Sequence, residues 1–534
     1  MAKRLASVIL ITIGVALAVV FVFALVLFLA PGLSVFGFKY IAKGTHVIND
    51  TYVLTEEMSG KTFSGSIRLE TDQIPIHVVF SQKFTYQVEY YDNFNGLTNS
   101  KFDDPSIHFS KDADGTAVIK INSFNKFIYE NQNSSRYVKL HIPSTIIGGT
   151  RKGETSLSIK SKSSPITFYD DINDYYDPYF RNLNIETNGT IKTSTKVTAD
   201  TYSLKTVNAI KITEDNVESI NATNYILDST GGKIVVDRNV SGDIKATTKD
   251  ARIQILSCKN FTASSGFGDV YSARLDEPLI VNGIANIKTT AGIVEIDTIA
   301  GDTENSIIQT KTGNVKITKV QNLKLSTTRG FVRIISARNV DVTTSSGSIN
   351  VESATGSVNA KTKRGKVILG GDKTVLFNPT VESTYGDVLL NSASGSVNIN
   401  TIKADVNFIN SNANNIKIVA GGNLTATKLL GAVDVKVEGN ADIEFEEFSA
   451  KTTIVGTNAN SLINVKLLNN ESSTFSYDFE ANDASLFEYN IDDPENNYQI
   501  GKSTHLSSPA ETVGKPLLLV TTTGRLIVYY KKTA

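Results

Sequence analysis

The chain has 534 residues, and its 53 Lys and Arg stand against 54 Asp and Glu for a net charge of −1. That balance leaves no electrostatic footprint for nucleic acid. The single cysteine, Cys258, excludes an intrachain disulfide and a cysteine zinc site, and gives no evidence on redox compartment.

Residues 5–30 carry no charge, follow Lys3 and Arg4, and are closed by Pro31-Gly32. This 26-residue run exceeds the ~20 residues that cross a bilayer core and the about 7–15 of a signal-peptide apolar region. The A-x-A triplet Ala16-Leu17-Ala18 lies in mid-run, a poor place for cleavage, and no cysteine stands beside the segment for lipoprotein processing. An uncleaved signal-anchor helix is expected, with residues 1–4 as a cytoplasmic tail and the lipid bilayer as the partner of residues 5–30. Lys3, Arg4 and the α-amine face Lys39 and Lys43, nearly a tie under the positive-inside rule. The large C-terminal part is placed outside the cell membrane because a short N-terminal tail inside is the commoner arrangement.

Residues 31–50 read as a connector. Over 51–192 the strands are longer and more aromatic, as in IPIHVVF (74–80), FTYQVEYY (84–91) and RYVKLHIP (136–143). They suit a small antiparallel domain or an irregular entry to a repeat region. Within YDDINDYYDPYF (169–180), Asp170, Asp171, Asp174 and Asp177 form the one metal candidate. Clustered carboxylates suit Ca²⁺, but Tyr175 occupies the third ligand position counted from Asp171, and a solvated acidic loop accounts for the same residues.

Residues 193–470 are expected to hold the repeats. A turn with Thr or Ser, two residues, Gly, one residue and then alternating aliphatics recurs in TTAGIVEI (289–296), TKTGNVKI (310–317), TTRGFVRI (327–334), TSSGSINV (344–351) and TKRGKVIL (362–369). SATGSVNA (353–360), STYGDVLL (383–390) and SASGSVNI (392–399) continue it. Alternation of apolar residues is the period of a strand. Val315, Val332, Ile349 and Val367 recur at 17, 17 and 18 residues, and Leu323, Val340, Val358 and Val375 at 17, 18 and 17. Two interleaved series with one period predict an all-β fold: a parallel β-solenoid of about 17–18 residues per coil, each coil burying its apolar face against its neighbours. Evenly spaced hairpins of an antiparallel sandwich are the competing reading. Residues 471–534 contain an acidic, aromatic insertion and end in TTTGRLIVYY (521–530), which reads as a final rung or cap.

The repeated strand resembles the putative adhesin family of bacterial β-solenoid proteins, often membrane-anchored and largely uncharacterised. RYVKLHIP followed by SLSIKSKSSPITF (156–168) is similar to that family's entry into its first coils, and the likeness spans about residues 137–400. It implies surface location and brings no catalytic residues. The five histidines are scattered; Gly501-Lys502-Ser503 lacks the earlier glycine of a phosphate loop, and Gly266-Phe267-Gly268 lacks the third glycine of a dinucleotide fingerprint. The outward row Glu295, Lys316, Arg333, Asn350 and Ile368 shows no carboxylate pair for glycoside chemistry. The expectation is therefore a non-catalytic, single-pass cell-surface adhesin or binding scaffold with a surface polysaccharide or protein as ligand, no nucleic acid and no cofactor. A carbohydrate-active β-helix enzyme and a self-associating envelope scaffold are the alternatives.

Overall fold

In the computed structural model the N-terminal apolar run is one α-helix, Ala2–Leu29. Its segment Ser7–Val26 is long and apolar enough to cross a membrane, and its side chains are exposed except Phe23, whose ring meets Phe38 edge-on at 5.9 Å. The structure describes residues 2–30, 34–35, 38–42, 47–54, 65–81, 85–93, 95–99, 106–122, 127–130, 135–143, 154–170, 178–213, 220–371, 374–446, 450–468, 475–490, 499–500, 504–508 and 514–531. They are mostly β and hold a parallel β-solenoid of about 14 turns. The chain divides into two units, Met1–Gly232 and Lys233–Ala534.

In the first unit Ile67–Thr71 pairs in parallel with Ala117–Asn122 on one side and Ser156–Ser161 on the other. The ladder continues through Tyr179–Glu186 and Val197–Thr206 to Ile220–Ser229. A second sheet joins Ile76–Ser81 in parallel to Ile166–Asp170 and Ser135–Pro143, then turns antiparallel through Gln87–Asn93 to Val47–Val53. Ser106–Lys111 lies antiparallel on Ala117–Asn122. Parallel stacking thus begins well before residue 193, and antiparallel strands cover edges that would otherwise offer unpaired backbone groups. Side-chain alternation is the same in parallel and antiparallel strands, so the sequence could not separate the two.

In the second unit the register follows the sequence spacing. Val294, Val315, Val332, Ile349, Val367, Val388, Val406 and Leu424 are successive parallel partners. None is more than 2% exposed. Ile308, Leu325, Val342, Ala360, Val381, Ile399 and Ile418 form the facing row. A third inward row runs Val281, Ile299, Val320, Ala337 and Ala354, between the two series along each coil. It escaped the sequence reading because each coil contributes a single aliphatic there, which makes no alternation.

Two expectations are corrected here. After Val358 and Ala360 the facing row passes to Pro379 and Val381, not to Val375 and Phe377. Val375 and Phe377 are exposed at 55% and 44%, while Leu376 between them pairs with Ala393 near the third row. The coil from Val367 to its partner Val388 is longer than its neighbours by a loop near Gly370, and an even apolar spacing across that loop mimicked the period. At the C-terminus, Leu517–Thr522 and Arg525–Lys531 slot between Thr452–Gly456 and Leu462–Leu468 on one side and Ser476–Ala481 and Phe487–Asn490 on the other. The insertion therefore lies outside the last repeat copy. Antiparallel His505–Ser507 and Gln499–Ile500, and rings such as Tyr477 stacked 5.0 Å from Phe479, finish that edge.

The glycines have a steric cause. A Cβ built on Gly313, Gly330, Gly347 or Gly365 would sit 1.9 Å from the carbonyl oxygen of the stacked glycine one coil before, Gly292, Gly313, Gly330 and Gly347 respectively. The buried Thr three residues earlier closes each turn: Gly330 N donates to Thr327 Oγ1 at 3.0 Å and Gly347 N to Thr344 Oγ1 at 2.7 Å. Just past the turn, Asx side chains bond to the next coil. Phe331 N donates to Asn314 Oδ1 at 2.9 Å, and Asn423 N to Asp405 Oδ1 at 2.7 Å.

Candidate binding faces

Solenoid strands alternate inward aliphatics with outward side chains, so a charged residue between two inward positions is held at rung spacing beside its neighbours. In the first unit one outward row reads Lys120, Glu70, Lys160, Glu186, Lys205 and Asp228, each paired in register with the next. The signs alternate strictly. Lys120 lies 3.4 Å from Glu70, and Lys160 and Lys205 lie 3.2 and 3.8 Å from Glu186. Beside the row, Lys162 meets Asp72 at 2.7 Å, and these two with all of the row but Asp228 line a cleft of about 580 Å³ with Thr71, Thr187, Thr206 and Val207. Glu70 and Glu186 are two rungs apart, about 10 Å at strand spacing. Exposed pairs of this kind contribute about 0–1 kcal/mol each, so a ligand's charges can displace them at little cost.

Sequence reasoning missed this row because its members come from segments at uneven spacing, with Ala117–Asn122 stacked out of chain order before Ile67–Thr71. The local signal was present: LET (69–71), IKI (119–121), IKS (159–161), IET (185–187), LKT (204–206) and LDS (227–229) each put one charge after an inward aliphatic.

In the second unit, Glu295, Lys316, Arg333, Asn350 and Ile368 are consecutive partners along one outward row. Lys316 pairs with Glu295 at 2.6 Å, and Arg333 turns to Glu352 at 2.8 Å. Of the acidic candidates, Asp170 ends the strand Ile166–Asp170 and is half-buried. Asp171, Asp174 and Asp177 lie outside the described residues. Among the described residues no three His, Cys, Asp or Glu side chains gather as a metal group.

The histidines sit in separate settings. His141 is buried with Nε2 2.9 Å from Glu89 Oε1. His77 contacts the rings of Tyr137 and Tyr169 at 5.7 and 5.8 Å, and burial, helped by the nearby Lys139 charge, lowers its pKa. His505 meets Asp478 at the surface. Cys258 is buried, which with the Asp243 charge pushes its thiol up to about 12, so at neutral pH it is protonated and poorly nucleophilic.

No protein-family profile matches the chain, and no curated protein matches it. Among solved structures, the crystal structure of a putative cell adhesion protein from Clostridium sporogenes aligns over 57% of this chain and 99% of its own, at 6% identity and a TM-score of 0.19.

Proposed function

We propose that the protein is a non-catalytic, single-pass membrane protein whose helix anchors it and whose solenoid displays binding faces outside the cell, as an adhesin or binding scaffold. The carrying observation is the register of the outward rows. Six charged side chains in the first unit stand in one line, each on a strand paired in parallel with the next, and five of them, Lys120, Glu70, Lys160, Glu186 and Lys205, line a cleft. Such an array suits an extended ligand that touches several rungs at once, a surface polysaccharide or a protein segment. The apolar helix Ala2–Leu29 fits the anchor.

The test is protease added to intact cells producing the full chain, with antibodies against an epitope in residues 233–534. Loss of the epitope before lysis is the expected result. Full protection in intact cells, with cleavage only after lysis, overturns the outward placement and with it the adhesive reading.

A further inference from the structure

The Thr-x-x-Gly turns of the second unit form an edge of their own. Their backbones are bonded rung to rung: Arg329 N donates to Lys311 O at 3.0 Å, Ser346 N to Thr328 O at 2.8 Å and Arg364 N to Ser345 O at 3.1 Å. With the stacked glycines in contact beneath, the turn side chains are held in line. Over four consecutive turns, 311–314, 328–331, 345–348 and 363–366, that line carries Lys311, Arg329, Lys363, Arg364 and Lys366 and no acidic residue. All five are exposed.

Several acids of these coils are engaged on the strand faces. Glu295 pairs with Lys316 at 2.6 Å, Glu352 with Arg333 at 2.8 Å and Glu382 with Lys361 at 2.5 Å, while Asp341 accepts from Asn359 Nδ2 at 3.2 Å. Asp387, one turn further along, accepts from the Asp405 backbone N–H at 3.2 Å. The turn cations are thus a local surplus on a chain whose net charge is −1. Four rungs set them along about 14 Å, and two aromatic side chains stand on the same edge, Phe331 at 41% and Tyr385 at 50% exposure. Hydroxyls of Thr312, Thr328, Ser345 and Ser346 fill the intervening positions.

We infer that this turn edge is a binding site for a linear acidic polysaccharide, its carboxylates meeting the five cations and its sugar faces resting on Phe331 and Tyr385. The inference rests on the proposed display role of the solenoid and names its ligand class. Lys and Arg bind a polyanion by releasing its condensed counterions, while ring stacking distinguishes a glycan from a bare charged chain.

The experiment uses the full chain in detergent micelles and polygalacturonate as the probe, with neutral dextran and oligo-dT as comparators. Two triple variants remove equal charge: Lys363→Ser/Arg364→Ser/Lys366→Ser on the edge, and Lys324→Ser/Lys417→Ser/Lys436→Ser on the outward strand face. The wild type should bind polygalacturonate and not dextran. The edge variant should bind at least about tenfold more weakly, with a salt slope reduced by about one per cation removed, while the strand-face variant stays near wild type. Equal losses in both variants, no binding by the wild type, or oligo-dT bound as tightly as polygalacturonate would each overturn the inference. Failure here with the solenoid still cleaved on intact cells removes this ligand alone; protection inside cells removes the display role whatever the affinity in the micelle.

Discussion

At the scale of single residues, a glycine here is chosen for what lies beneath it. Gly330 and Gly347 show no left-handed φ; the constraint is the carbonyl of the preceding rung, 1.9 Å from where a Cβ would be. Gly347→Ala must push two hydrogen-bonded turns apart, and overpacking of this kind costs about 1–3 kcal/mol. Ser346→Ala, the exposed neighbour in the same turn, should shift stability by no more than about 0.5 kcal/mol. Thermal melts of the two variants in the same detergent should separate clearly, and coincident melts would show that the turns are not in contact. The partner threonine is part of the same device: Thr344 is only 3% exposed yet satisfied, because its Oγ1 accepts the Gly347 N–H.

At the scale of the element, each coil is stable only as the neighbour of another. Val332 is 0% exposed and pairs with Val315 on one side and Ile349 on the other. Val332→Asp would bury an unpaired carboxylate, a cost of several kcal/mol unless the group protonates or the coil opens. Arg333→Ala removes one exposed ion pair with Glu352, worth at most about 1 kcal/mol. Nearest-neighbour coupling confines the first damage, so amide exchange in the Asp variant should rise first in the strands Val315–Thr327 and Ile349–Val351. Uniform acceleration across the second unit would mean that the coils unfold together and the nearest-neighbour account is wrong. The longer coil between Val367 and Val388 shows the tolerance of the same arrangement: extra residues leave as a loop while the paired rows keep register.

At the scale of the whole molecule, the apolar N-terminal helix and the solenoid solve different burial problems. The coils hide their aliphatics against each other; the helix leaves the aliphatics of Ser7–Val26 exposed. Twenty residues from Ser7 to Val26 suit the ~20 needed to span a bilayer core. The full chain should therefore stay with membranes through alkaline carbonate washing and leave them when residues 1–30 are deleted. Release of the intact chain by the wash would show that the helix does not span. The two ends of the repeat ladders follow the same burial rule, since antiparallel strands such as Ser106–Lys111 and His505–Ser507 occupy edges that bare rungs would expose.

What the sequence determined by itself was the local period: where a strand turns, which residues just after each Gly turn face inward, and the 17- and 18-residue steps from Val315 through Val332 and Ile349 to Val367. Those come from backbone geometry within one coil and its repetition in the next, so they are legible without a partner. Which coil lies on which was decided only by the tertiary structure. Ala117–Asn122 stacks outside Ile67–Thr71, and the last strands slide beneath the insertion that precedes them. The charge row of the first unit and the basic edge of the second exist only through that stacking. Inward aliphatics repeat because every coil needs them; outward charges owe nothing to the coil that bears them, so only their neighbours in space give them meaning.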